Sequence, residues 1–129
     1  MLHSQCHLIR NTSAAPAVAR RYVRDTLAGQ PNDVVDTASL IVSELVTNCV
    51  RHADTDLAVT IERTDGHIRV DIADAGTGEV TPRHPGPAEI AGRGLRIVDE
   101  LSDTWGVSEY AHGDGKSVWF ELSLHEKRP

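Results

Sequence analysis

At 129 residues, with 40% hydrophobic content and only two cysteines, the chain has the size of one ordinary domain that buries a core without disulfides or metal staples. Thirteen basic against nineteen acidic side chains leave a formal net charge of −6, which argues against electrostatically driven binding to nucleic acid or an anionic membrane. No apolar stretch of about eighteen residues occurs, and Met1 to Arg10 carries no basic segment followed by an apolar run. A single cytoplasmic domain over residues 1–129 is expected, with a small ligand or another protein as its partner.

Along the chain, Cys6-His7-Leu8-Ile9-Arg10 alternates as a short strand. His3, Cys6 and His7 are metal-ligand types, but they sit at a terminus without a convincing fourth ligand, and the strand is the simpler reading. Asn11-Thr12-Ser13-Ala14-Ala15-Pro16 then starts a helix, with Val18, Tyr22, Val23 and Leu27 as its predicted buried stripe up to Gly29. Its outer face carries Arg20, Arg21, Arg24 and Asp25, a solvated surface or, alternatively, a basic patch for an acidic protein.

A second helix is predicted from about Asp33 to His52, because Val34, Val35, Ala38, Ile41, Val42, Leu45, Val46 and Cys49 recur at helical spacing. Glu44, Asn48 and His52 stand four residues apart along the rim of this apolar face. A carboxylate, an amide oxygen and an imidazole aligned in this way suit a metal-bound phosphate; the plainer alternative is the solvated edge of an amphipathic helix.

Two alternating runs follow, Leu57 to Arg63 and His67 to Ala73, joined by Thr64-Asp65-Gly66 as a hairpin. The stretch from Asp74 to Gly92 is rich in Gly and Pro and too long for a routine connection, which predicts a lid at about 79–91. A third helix from Arg93/Gly94 through Leu95, Ile97, Val98 and Leu101 precedes two last strands, around Val107 to Tyr110 and Lys116 to Leu124. This order implies an α/β fold: a two-layer sandwich with a mixed, mostly antiparallel sheet covered on one face by three helices.

Two glycine clusters frame the predicted lid. Asp74-Ala75-Gly76-Thr77-Gly78 sets a carboxylate at a strand end, suited to accept a hydrogen bond from an exocyclic amine such as that of adenine, and the glycines admit a flat ligand; a simple turn is the alternative. Gly92-Arg93-Gly94-Leu95 opens the third helix, where free N–H groups suit phosphate, unless the segment is only a hinge. Gly115-Lys116-Ser117 is not a phosphate-binding P-loop, because the required first glycine falls at Tyr110 and a strand follows. The dinucleotide pattern fails as well, at Thr81 and at Ile97.

Taken in order, Glu44-x3-Asn48-x3-His52, Asp74-x-Gly76-x-Gly78, Gly92-x-Gly94 and the Gly115-Lys116-Ser117 strand resemble the ATPase domain shared by histidine kinases, MutL and type II topoisomerases, over about residues 34 to 122. Ser-Glu-Leu-Val-Thr-Asn and the short lid look most like the anti-sigma factor serine/threonine kinases of the RsbW and SpoIIAB type and their stand-alone actinobacterial relatives. The resemblance implies ATP and Mg²⁺ as cofactors, Glu44 as general base, and Asn48 as Mg²⁺ ligand. It also implies Asp74 on the adenine amine, Gly76 and Gly78 near the base, and Gly92, Arg93, Gly94 and Leu95 at the phosphates, with His52 and Ser117 at the motif edges. It further implies a sigma factor and a STAS-type anti-anti-sigma protein as partners, with no direct contact to nucleic acid or membrane, and homodimerisation. The competing expectations are a non-catalytic ATP-binding interaction module of the same fold, and the detached ATPase domain of a histidine kinase.

Overall fold

The computed structural model describes residues 3–52, 56–74, 96–109 and 116–124. In chain order these form β1 (His3–Ile9), α1 (Ala15–Thr26), α2 (Asn32–His52), β2 (Leu57–Arg63), β3 (His67–Asp74), α3 (96–101), β4 (Thr104–Glu109) and β5 (Lys116–Ser123). The strands make one sheet in the order β1-β2-β3-β5-β4. All four ladders are antiparallel. The expected sheet is thus found in its mostly antiparallel form. β3 and β4 run in the same direction, but β5 lies between them, so no parallel pair forms among the described strands.

Alternation sorts the side chains. Leu57, Val59 and Ile61 of β2, Ile68, Val70 and Ile72 of β3, and Val118, Phe120 and Leu122 of β5 take matching register positions and are all buried. The helices lie on this face: α1 over β1 and β2, and α2 over β3 and β5. α3 completes the layer at the other edge, where Val98 is buried and the Trp105 indole N–H of β4 donates to the Asp99 carboxylate at 2.9 Å.

Of the predicted α2 stripe, Val34, Val35, Ala38, Ile41, Val42, Leu45 and Val46 are buried, and Cys49 is half-buried against the core. In α1 the buried ladder is Ala15, Ala19, Val23 and Leu27, and Val18 is 41% exposed, contrary to expectation. Small alanines every fourth residue let α1 approach closely, which turns Val18 outward. Gly29 closes α1 at φ 93°, a conformation that favours glycine. Tyr22 stacks on His7 of β1 with ring centroids 4.9 Å apart. Burial raises its hydroxyl pKa above the ordinary 10.0; Thr26 nearby opposes this, yet among the described residues the hydroxyl has no partner in hydrogen-bond geometry.

β1 and β4 both begin earlier than expected. The β1 pairing extends back to His3 opposite Arg63, and that of β4 to Thr104 opposite Glu121. The end of the sheet holding Gly66, Thr104 and Ser123 is tied by hydrogen bonds. The Leu124 N–H donates to the Gly66 carbonyl at 3.0 Å, and the Asp103 N–H donates to the Glu121 carbonyl at 2.9 Å. The Ser123 N–H donates to the Asp103 carboxylate at 2.6 Å, and the Thr104 hydroxyl donates to the Glu121 carboxylate at 2.7 Å.

On the face away from the helices, Trp119 lies flat against Gly106, and the Arg69 guanidinium sits 4.2 Å from its ring centroid while pairing with Asp71 at 3.2 Å. A Cβ at Gly106 would stand 2.7 Å from the indole, against ring atoms that have little room to move. Gly106→Ala is therefore expected to destabilise the fold by about 1–3 kcal/mol in urea unfolding. In a Trp119→Ala background the same change should shrink to within about 0.5 kcal/mol; equal losses in both backgrounds would show that the indole is not the obstacle.

Candidate functional site

The candidate site forms at the opposite end of the sheet, where β3 ends, β5 begins and α2 ends. Only residues 53–56 join His52 to Leu57, so the C-terminal turns of α2 stay near the start of β2. Leu57 pairs with Asp74, and Ala73 with Ser117. Position 74 is therefore the last rung of β3 beside the rung that holds Ser117, whose side chain is buried at 7% exposure. Asn11 closes the neighbouring corner, its N–H donating to the Asp56 carboxylate at 3.1 Å.

The two flanks of α2 do different work. On one, Arg20 of α1 donates to the Ser43 hydroxyl at 2.8 Å and Arg24 pairs with Asp36 at 3.1 Å, while the Thr47 hydroxyl donates back to the Ser43 carbonyl at 2.7 Å. One residue is a turn of about 100° around a helix, so Glu44 and Asn48 fall on the flank away from α1, facing the side of the layer that α3 occupies. Both are half-buried. Only residues 102–103 separate α3 from the start of β4, which lies at the tied end.

The predicted residues thus divide into three groups. Glu44 and Asn48 stand one turn apart on one flank of α2, and the backbone brings the last turn of α2, the end of β3 and Ser117 to the same end of the sandwich. His52 and Asp74 are described as the last positions of α2 and β3. Gly76, Gly78, the predicted lid at about 79–91, Gly92, Arg93, Gly94 and Leu95 lie outside the described residues. In β1, strand alternation puts Cys6 on the face opposite His3 and His7. Sequence reasoning did not foresee that Arg20 and Arg24 reach across to α2. The available signal was the match between two arginines four apart on one helix and Asp36 and Ser43 seven apart on the next.

A half-buried carboxylate and a side-chain amide oxygen one turn apart are hard oxygen donors of the kind Mg²⁺ takes. This layered arrangement, a five-stranded antiparallel sheet with helices packed on one face, defines a two-layer α/β domain. The comparisons name the family: the histidine kinase-like ATPase domain family matches residues 9–122, and the chain belongs to it. An uncharacterized protein of Streptomyces coelicolor is 32% identical over 83 residues, covering 60% of this chain and 76% of that protein. Among solved structures, the RsbU and RsbW domains of Rv1364c from Mycobacterium tuberculosis match with a TM-score of 0.71 at 18% identity. That match covers 93% of this chain and spans 32% of the other, so the likeness is one of fold.

Because Arg20 and Ser43 fix α1 against the helix that carries Glu44, Arg20→Ala and Ser43→Ala are each expected to cost about 0.5–1.5 kcal/mol of stability. The double variant should cost less than the sum. Full additivity in a double-mutant cycle would mean that the two side chains do not interact in solution.

Proposed function

We propose that this domain binds Mg·ATP between α2 and α3 and acts as an anti-sigma factor and protein serine/threonine kinase, with a STAS-type anti-anti-sigma protein as its substrate. The observation that carries the reading is the pair Glu44 and Asn48 on the flank of α2 turned away from α1, at the sheet end where β3 delivers Asp74. Membership in the ATPase family supports the nucleotide, and the fold likeness to an RsbW-containing protein supports the class of partner.

When bound, Mg·ATP supplies the phosphoryl group and the cation that balances its charge. Asn48 offers its side-chain oxygen to the metal. Asp74 accepts a hydrogen bond from the adenine amine, with Gly76 and Gly78 beside the base. Gly92, Arg93, Gly94 and Leu95 meet the phosphates, and His52 borders the pocket, while Ser117, whose side chain shares the sheet face of Trp119, reaches its edge only through the backbone. Glu44 takes the proton from a serine or threonine hydroxyl of the docked partner as that oxygen forms its bond to phosphorus and the bond to the ADP leaving group breaks. The phosphate then adds charge to the partner's surface and weakens its hold, freeing this domain to grip a sigma factor.

Glu44→Gln is expected to leave nucleotide affinity within a few-fold while reducing phosphoryl transfer by about 10²–10⁴-fold. Transfer at the wild-type rate would remove Glu44 from the base role, and absence of transfer to any STAS-type protein by the wild type would leave a binding module. Asp74→Asn is expected to weaken ATP binding about 10–100-fold in calorimetric titration, the loss of a hydrogen bond to a charged group. Unchanged affinity would move the base elsewhere.

A further inference from the structure

We propose that Thr47 is a positioning residue for Asn48: its hydroxyl holds the turn of α2 that sets the Asn48 side-chain oxygen beside Glu44, and so governs how well Mg²⁺ binds with ATP. This role rests on the nucleotide reading and gives a task to a hydroxyl outside it. Thr47 donates that hydroxyl to the Ser43 carbonyl at 2.7 Å. In an α-helix the same carbonyl accepts the Thr47 N–H, so residue 47 grips residue 43 twice and both lone pairs of the carbonyl are used. Ser43 is held from α1 as well, since the Arg20 guanidinium donates to its hydroxyl at 2.8 Å. Behind Arg20, the Ala15, Ala19, Val23 and Leu27 ladder of α1 is fully buried. The turn from residue 43 to residue 47 is thereby tied to the core through a second helix.

Glu44 and Asn48 are this same turn advanced by one residue. Ser43 and Thr47 stand four apart on the flank toward α1, and a step of one residue, about 100° around the axis, gives Glu44 and Asn48 on the other flank. The two pairs share one stretch of backbone, so a change in rise or bend between residues 43 and 47 passes directly into the separation of the two oxygen donors. A threonine hydroxyl bonded to the carbonyl four residues back bends a helix and slightly weakens it, and threonine ranks low among helix formers. Leu45 and Val46 already fill the core beneath, and position 47 is half-buried beside them, where packing asks for no hydroxyl. A group that weakens its helix directly before a metal ligand serves the geometry of the ligand rather than the stability of the fold. Mg²⁺ makes that geometry count, because it takes oxygen ligands at about 2.0–2.1 Å in near-octahedral order.

The test titrates the full chain with ATP by calorimetry, once with Mg²⁺ and once with EDTA, and the ratio of the two affinities is the magnesium step. Thr47→Val keeps the β-branched shape and removes the hydroxyl. It is expected to leave ATP affinity in EDTA unchanged and to shrink the magnesium step by about 10-fold, the loss typical of a residue that orients a metal ligand. Its midpoint of urea unfolding should stay or rise, because the bent turn relaxes. Thr47→Ser, which can remake the bond, should restore the step. In an Asn48→Ala background, with the ligand itself gone, Thr47→Val should change nothing further. A wild type whose magnesium step survives Thr47→Val in full overturns this role alone, whereas a wild type with no such step overturns it together with the nucleotide reading. A step that shrinks only in proportion to lost unfolding stability, or that Thr47→Ser fails to restore, also overturns it, since Thr47 would then support the fold and not the ligand.

Discussion

The arrangement rests on the register of β3 between β2 and β5. Leu57, Val59, Ile61, Ile68, Val70, Ile72, Val118, Phe120 and Leu122 alternate along these strands toward the helices, and a slip of one residue would turn the whole set to the other face. That constraint is both energetic and positional. The rung that sends Ile72 into the core also makes Asp74 the last residue of β3 and seats Ser117 opposite Ala73. The site's position at the end of the sheet therefore follows from the packing of its middle.

α2 carries this constraint into the helical layer. Its apolar stripe fixes its rotation on the sheet, and α1 covers one of the two remaining flanks through Arg20 and Ser43. Glu44 and Asn48 are left on the other flank, half-buried and four residues apart. Such a pair is ambiguous on an isolated helix. On the flank turned away from α1 it offers two oxygen donors side by side, which is what the proposed nucleotide site requires.

The sequence makes the β2–β3 hairpin and α2 legible because each shows one strong period, of two and of 3.6 residues, and most of the positions the pattern names are buried, although Cys49 is half-buried and Ser39, outside the pattern, is buried. The start of β1 is hidden, because His3, Ser4 and Gln5 are polar and exposed, and only backbone pairing to Arg63, Glu62 and Ile61 makes them a strand. The start of β4 is hidden for a related reason. Gly106 reads as a breaker until Trp119 is known to lie over it. In α1 the larger Val18 and Tyr22 outweighed the alanines in the pattern, whereas the packing uses Ala15 and Ala19. Of the candidate site, the four-residue spacing of Glu44 and Asn48 on α2 is legible in the sequence; the division of α2 into two flanks is not, since it depends on where a neighbouring helix docks.

The tied end of the sheet has a consequence for how such a chain can change over generations. Gly66, Asp103, Thr104, Glu121, Ser123 and Leu124 lock three strand ends together far from Asp74, so the register is set without help from the connections at the other end. Lengthening a connection there then costs little beyond loop closure, about 0.6 kcal/mol for each doubling of length. Fold stability is thereby written into one end of these strands, and insertions at the other end leave it nearly untouched.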